Sequence, residues 1–155
     1  METTPVDVSP EIISFLRTVG LDEVPEYLPF TSVSQFYLPR YCLNNCEEEV
    51  KAGGRVIFGW VVWEDRGAGF IETEFHSVIE RSGKLADITP RLDGEEFILF
   101  VSDKTRSPIR IDERTWDTWT NIKYLHGKVV LMCEKIQLHD PSDSYEASRA
   151  QRSKT

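Results

Sequence analysis

Hydrophobic positions along the first half of the chain follow two different periods. Ile12, Ile13, Leu16 and Val19 recur at helical spacing. They follow Ser9, Pro10 and Glu11, which supply an N-cap, a first-turn proline and an acidic first turn, and Gly20 stands where a helix would end. The pattern predicts a helix over about 10–19 with its apolar side on the core. From Arg55 the period changes. Val56-Ile57-Phe58, Trp60 and Val61-Val62-Trp63 form a nearly continuous apolar run, as in a strand covered on both faces. After the turn residues 65–69, positions 70–80 alternate. Ile71, Thr73, Phe75, Ser77 and Ile79 share one face, and Glu72, Glu74, His76, Val78 and Glu80 the other. Ser82-Gly83 predicts a hairpin turn, with 85–89 as the returning strand, stopped by Pro90.

The remaining segments are read by the same rules. Pro25, Pro29 and Pro39 interrupt 21–40, leaving at most a short strand or turn over 32–38. Residues 42–52 have few β-formers and stop at Gly53-Gly54, which predicts a helix of about three turns. Glu47 to Glu49 are expected to form its solvated face. Phe97–Val101 reads as a strand. Asp112 reads as the cap of a helix carrying Trp116, Trp119 and Ile122 at i, i+3 and i+6, and 128–138 as a single last strand. The fold expected is α+β: one domain over 1–139, an antiparallel meander with helices packed on one side, and a polar, disordered tail over 140–155.

Composition narrows the function. The 155 residues are 40% hydrophobic with four tryptophans, enough for a folded core without metal or disulfide staples. A net charge of −8 argues against nucleic acid as a direct ligand. No apolar run approaches the ~18 residues of a membrane span. The first residues lack a signal peptide's basic and apolar regions. Three cysteines, Cys42, Cys46 and Cys133, are not laid out as a disulfide framework, so a reducing cytoplasmic setting is expected.

The candidate chemistry is nucleophilic. A thiol attacks as its thiolate, and a helix N-terminus and a neighbouring imidazolium both favour that form. Cys42 opens the predicted second helix, His76 lies on a strand that can reach it, and Asp87 lies across a tight turn as a near-diagonal neighbour of His76. That acid can fix the imidazole's tautomer and orientation. Cys46, at i+4 from Cys42, is the alternative nucleophile, and Asn45 is a candidate support to the site or a helix cap. The three residues have separate plain readings: a small core cysteine, a hydrogen-bonded histidine and a strand-end aspartate.

The order Cys, His, Asp, with Cys on a helix and the others on successive strands, resembles the papain-like cysteine hydrolases in the broad sense, which include transglutaminase-like and NlpC/P60-like domains. Over roughly 34–90 the resemblance implies a papain-like core with Cys42 as nucleophile, His76 as base and Asp87 as orienting acid. It also makes Gln35 the oxyanion donor. The segments GWVVWE, EFHSVIE and DITP are similar to those of small uncharacterised bacterial proteins. The activity implied is a small intracellular hydrolase or acyltransferase acting without a cofactor on an amide- or ester-type bond of a protein or peptide-like substrate. Specificity is expected in loops 21–40 and 104–110. Two alternatives stand beside it. One is a non-catalytic acidic module docking a basic protein partner. The other is a zinc site built on Cys42 and Cys46 with His76 or Cys133.

Overall fold

The computed structural model describes residues 1–139; the tail expected over 140–155 lies outside the described residues. Ser9 caps helix α1 (Pro10–Thr18) as its spacing predicts, its Oγ accepting from the Ile12 N–H at 3.2 Å, and Gly20 follows at φ 83°. Helix α2 (Cys42–Glu49) passes into a 3₁₀ turn at Val50–Ala52 and ends at Gly53, φ 112°. The strands are β1 (Glu26–Pro29), β2 (Arg55–Asp65), β3 (Phe70–Arg81), β4 (Lys84–Ala86), β5 (Phe97–Ser102), β6 (Ile109–Asp112), β7 (Thr115–Trp119), β8 (Ile122–Leu125), β9 (Lys128–Leu131) and β10 (Lys135–His139). They make a seven-stranded antiparallel sheet in the order β1-β5-β2-β3-β8-β9, with β4 also on β3, and a three-stranded sheet in the order β10-β7-β6. The class is α+β.

The long β2–β3 hairpin is the frame. Trp60 opposes Phe75 and Val56 opposes Ile79, so these residues share one face of the sheet. Ile12, Phe15 and Leu16 of α1 pack there with Trp60, Val62, Ile71 and Phe75. Cys46 of α2 packs further along the same face with Tyr37, Ile79 and Ile88, so both helices lie on one side. The opposite face carries Val61, Trp63 and Val78 together with Leu28, Ile98 and Phe100.

The second edge of β3 is shared, and that sharing makes room for the site. β8 pairs with Phe70–Thr73 and β4 with Ile79–Arg81, which leaves Glu74 to Val78 without a strand partner on that edge. The Ser82-Gly83 turn has φ of 53° and 77°, the geometry of a type I′ hairpin, and it fixes the β3–β4 register that returns Asp87 toward His76.

Several expectations are corrected. Where a helix was expected from Asp112 through Ile122, the chain ends β6 at Asp112 and forms β7 and the start of β8. Thr115, Trp116, Thr118 and Trp119 are β-branched and aromatic, and pairing with β6 and β10 overrides a three-residue tryptophan spacing. The single last strand is two, β9 in the large sheet and β10 in the small one. The 32–38 segment takes the turn alternative, and the strand of this region, which was not expected, is β1, an edge strand ending at Pro29 where a proline costs no ladder bond. Glu49 is not solvated: it is 7% exposed, accepts the Tyr37 hydroxyl at 2.6 Å and pairs with Arg81.

Gly59, opposite His76 in the β2–β3 ladder, is required by close approach. A Cβ there would stand 2.2 Å from the Val101 carbonyl oxygen and 2.6 Å from Phe100 Cζ. Gly59→Ala is therefore expected to destabilise the fold by about 1–3 kcal/mol through overpacking, read as a lower midpoint in urea. An unchanged midpoint would mean that β5 yields at no cost.

Candidate active site

Cys42 is the first residue of α2, and no side chain caps that helix start. The helix runs beside β3, with Cys42 near His76 and Ser77, Cys46 packed on Ile79 and Glu49 paired with Arg81. His76 is 6% exposed and Asp87 fully buried, with His76 Nε2 2.9 Å from Asp87 Oδ1. Cys42 is half-buried and stands beside His76, near enough for the imidazole's charge to bear on the thiol. Since Nε2 is engaged by Asp87, Nδ1 is the ring nitrogen left for the sulfur. The structure thus gathers Cys42, His76 and Asp87 from α2, β3 and the segment after β4, with His76 hydrogen-bonded to Asp87 and Cys42 beside the ring.

Electrostatics favour the ionised pair. Burial pushes the Cys42 thiol up, but the charge and hydrogen bond of His76, aided by the Ser77 hydroxyl and backbone N–H, outweigh it and leave the thiol below its ordinary range. Burial would likewise push His76 down. The charges of Asp87 and Cys42, with their hydrogen bonds, reverse this and hold the imidazole well above its ordinary value. Both partners move toward thiolate and imidazolium, the attacking state of a cysteine nucleophile.

Asp87 is held from several sides. Its carbonyl accepts from the Thr31 N–H at 2.8 Å, and Oδ1 receives a long 3.4 Å contact from the Thr89 N–H. Oδ2 has no hydrogen-bond partner among the described residues, but Arg91 Nη1 stands 3.7 Å away. That guanidinium lies over the Trp63 ring at 4.7 Å and pairs with Asp93 at 2.7 Å, so a row of charged and titratable groups runs from His76 through Asp87 and Arg91 to Asp93, with Cys42 at its head.

The supporting residues divide. Asn45 is fully buried, and its Nδ2 donates to the Leu38 carbonyl at 2.9 Å and to Thr89 Oγ1 at 3.2 Å. It therefore ties α2 to the preceding loop and to the segment carrying Asp87. Gln35 is not brought to the thiol: it is exposed on the 34–37 turn and lines neither cavity beside Cys42. The turn that closes Tyr37 onto the core leaves Gln35 outside. The donor left for an oxyanion is the Cys42 backbone N–H at the uncapped helix start.

Cys46 sits in the apolar cluster, where burial pushes its thiol up despite the nearby Ser77 hydroxyl. That hydroxyl lies beside both thiols yet makes no well-formed hydrogen bond. Cys46 is expected to resist iodoacetamide in the native protein and to react only after unfolding, as mass spectrometry of native and urea-treated samples will show. Native labelling of Cys46 ahead of Cys42 would transfer the nucleophile's role. Cys133 packs at the edge of the α1 core, away from both. Among the described residues no three His, Cys, Asp or Glu side chains converge to hold a metal ion, so the zinc arrangement has no ligand set here.

Cys42 stands on the wall between two cavities. One, of about 620 Å³, opens toward β7, β9 and β10; the other, of about 310 Å³, lies over the His76 side of β3. Arg40, Cys42 and Glu74 line both. Arg40 takes φ 70°, a left-handed backbone that costs a non-glycine residue about 1 kcal/mol or more, two residues before the thiol. Ser77, Arg91 and the β7 tryptophans are members of the site that sequence reasoning missed; only the adjacency of Ser77 to His76 was visible in advance.

No protein-family model, curated protein or solved structure shows a significant match to the chain. Function therefore has to be read from the site. Among the described residues no helix is long and apolar enough to cross a membrane.

Proposed function

We propose that this protein is a cysteine hydrolase or acyltransferase acting on an amide, ester or thioester carbonyl of a peptide-like substrate. The observation that carries the reading is the buried His76–Asp87 pair with half-buried Cys42 beside it, thiol and imidazole both shifted toward their charged forms. On this reading the α2, β3 and post-β4 segments form a papain-like core, and Asp87 and Asn45 are positioning residues. The setting proposed is cytoplasmic, where a free nucleophilic thiol stays reduced.

The reaction follows from the protonation states. Cys42 thiolate adds to the carbonyl carbon, and the oxyanion forms against the Cys42 backbone N–H at the helix start. His76 delivers its proton to the departing nitrogen, oxygen or sulfur as the old bond breaks, leaving an acyl thioester on Cys42 and a neutral imidazole. Water, or an amine or alcohol acceptor, then gives its proton to His76 as it attacks the thioester. Release of the acyl group restores thiolate and imidazolium. Asp87 keeps Nε2 protonated throughout and so presents Nδ1 to the reacting atoms.

The test uses p-nitrophenyl acetate as a generic acyl donor with an acid quench. Wild-type protein is expected to carry an acetyl group on Cys42 by peptide mass spectrometry and to release nitrophenolate in a burst, with both lost in Cys42→Ala. Wild type without acetyl-Cys42 would overturn the acyl-transfer reading in favour of an acidic protein-docking module.

A further inference from the structure

The larger cavity beside Cys42 has walls that an acidic, charged protein does not expose without reason. Trp116 and Trp119 of β7, Phe75 of β3 and Leu131, Ile136 and Leu138 of β9 and β10 face it. The last three keep 43%, 37% and 46% of their surface accessible, although each is a large aliphatic. Of its charged residues, Glu72 is engaged by Asn121 at 3.1 Å and Lys123 at 3.7 Å, while Arg40 and Glu74 stand where it meets the smaller cavity.

The walls are also fixed. Trp116 donates its indole N–H to Asn44 Oδ1 at 2.8 Å, and Arg110 lies over the same ring at 4.4 Å while donating to Asn44 at 3.0 Å and pairing with Glu47. Trp119 packs on Phe75 at 5.1 Å. The small sheet is thereby docked on the first turns of α2 and on β3, and the cavity between them has Cys42 in its wall. At about 620 Å³ it exceeds what one small side chain fills and falls within the range of pockets that enclose ligands of several rings or a long branched chain.

We propose that this cavity receives a bulky apolar group, an aromatic or long aliphatic substituent, carried next to the carbonyl that Cys42 attacks. The inference rests on the proposed acyl-transfer reading and assigns its substrate class. It also moves specificity from loops 21–40 and 104–110 to the strands β7, β9 and β10, which lie beyond the segment that carries the reacting residues. Leu138 and Ile136 become specificity-determining residues, and the smaller cavity, bordered by Arg91, Asp93 and Glu74, is left for a polar remainder.

The experiment uses N-capped aminoacyl chloromethyl ketones that differ only in side chain: alanine, leucine, phenylalanine, glutamate and lysine. Each alkylates a thiolate by forming a carbon–sulfur bond as chloride leaves with the bonding pair, so no substrate need be known. Rates at Cys42 are divided by the iodoacetamide rate of the same sample, which removes intrinsic reactivity. The phenylalanine and leucine probes are expected to react about ten- to a hundredfold faster than alanine, and the glutamate probe no faster than alanine. Leu138→Lys should bring the phenylalanine-to-alanine ratio close to one, whereas Ile111→Lys, an exposed apolar residue of β6 outside the cavity, should leave it in place. A flat series on a Cys42 that still reacts as a low-pKa thiolate would overturn the cavity assignment and leave the acyl-transfer reading intact. A Cys42 of ordinary reactivity with every reagent would overturn both.

Discussion

His76→Ala is expected to slow iodoacetamide alkylation of Cys42 by about a hundredfold at mildly acidic pH. The magnitude follows from the thiolate fraction. An ordinary thiol of pKa about 8.5 is only ~0.3% ionised near pH ~6. In wild type, the His76 charge and hydrogen bond keep the thiol below that range against its burial. Removing the imidazole takes away the largest influence opposing burial and leaves only the Ser77 groups against it, so the thiol rises. The difference should shrink as pH rises and vanish once both proteins are fully ionised. Quantitative mass spectrometry of the Cys42 peptide over a pH series reads this directly, and equal profiles for the two proteins would mean that His76 does not ionise the thiol.

Asp87→Ala should be the most destabilising single change in the site, by about 3–5 kcal/mol, because it leaves His76 buried without its carboxylate. Its pH dependence has a defined sign. His76 is held well above its ordinary value, so its contribution is fully present below the unfolded imidazole pKa and is lost as pH rises through the raised folded value. Cys42 is held below its ordinary value, so its contribution is present above the unfolded thiol pKa and is lost as pH falls through the lowered folded value. The ion pair is formed between these limits. Wild type should therefore exceed Asp87→Ala in stability most clearly below the raised His76 value, with the gap narrowing toward alkaline pH. Urea denaturation at a series of pH values measures the gap. A constant gap would show that Asp87 acts through packing alone.

How much could be read in advance depended on whether the governing contact was local. α1 was legible because Ser9, Pro10 and Gly20 each do their work within one turn of their own position. The β2–β3 hairpin was legible because an unbroken apolar run, turn residues 65–69 and a long alternating segment follow one another. The Ser82-Gly83 turn set the register that returned Asp87 to His76, so the contact between those two residues was legible with it. The small sheet was not. Its strands are short, and the tryptophans at 116 and 119 repeat at a spacing a helix also satisfies. Only pairing with β10, some twenty residues away along the chain, selects the strand. Gln35 was misplaced for a related reason: a position before the nucleophile says nothing about where a proline-bounded loop points its side chains. The gap on the outer edge of β3, which admits α2 to His76 and Ser77, exists only because β8 and β4 stop short of each other.

The most direct test of the central claim is the ultraviolet absorbance of the thiolate, taken as wild type minus Cys42→Ala and titrated across pH. The account predicts that the thiolate signal is already present at neutral pH and is lost only on acidification, as Cys42 takes up a proton while His76 stays charged. A signal that instead emerges only near the ordinary thiol pKa of about 8.5 or above would contradict it: Cys42 and His76 would be neutral neighbours, and the site would have no nucleophile.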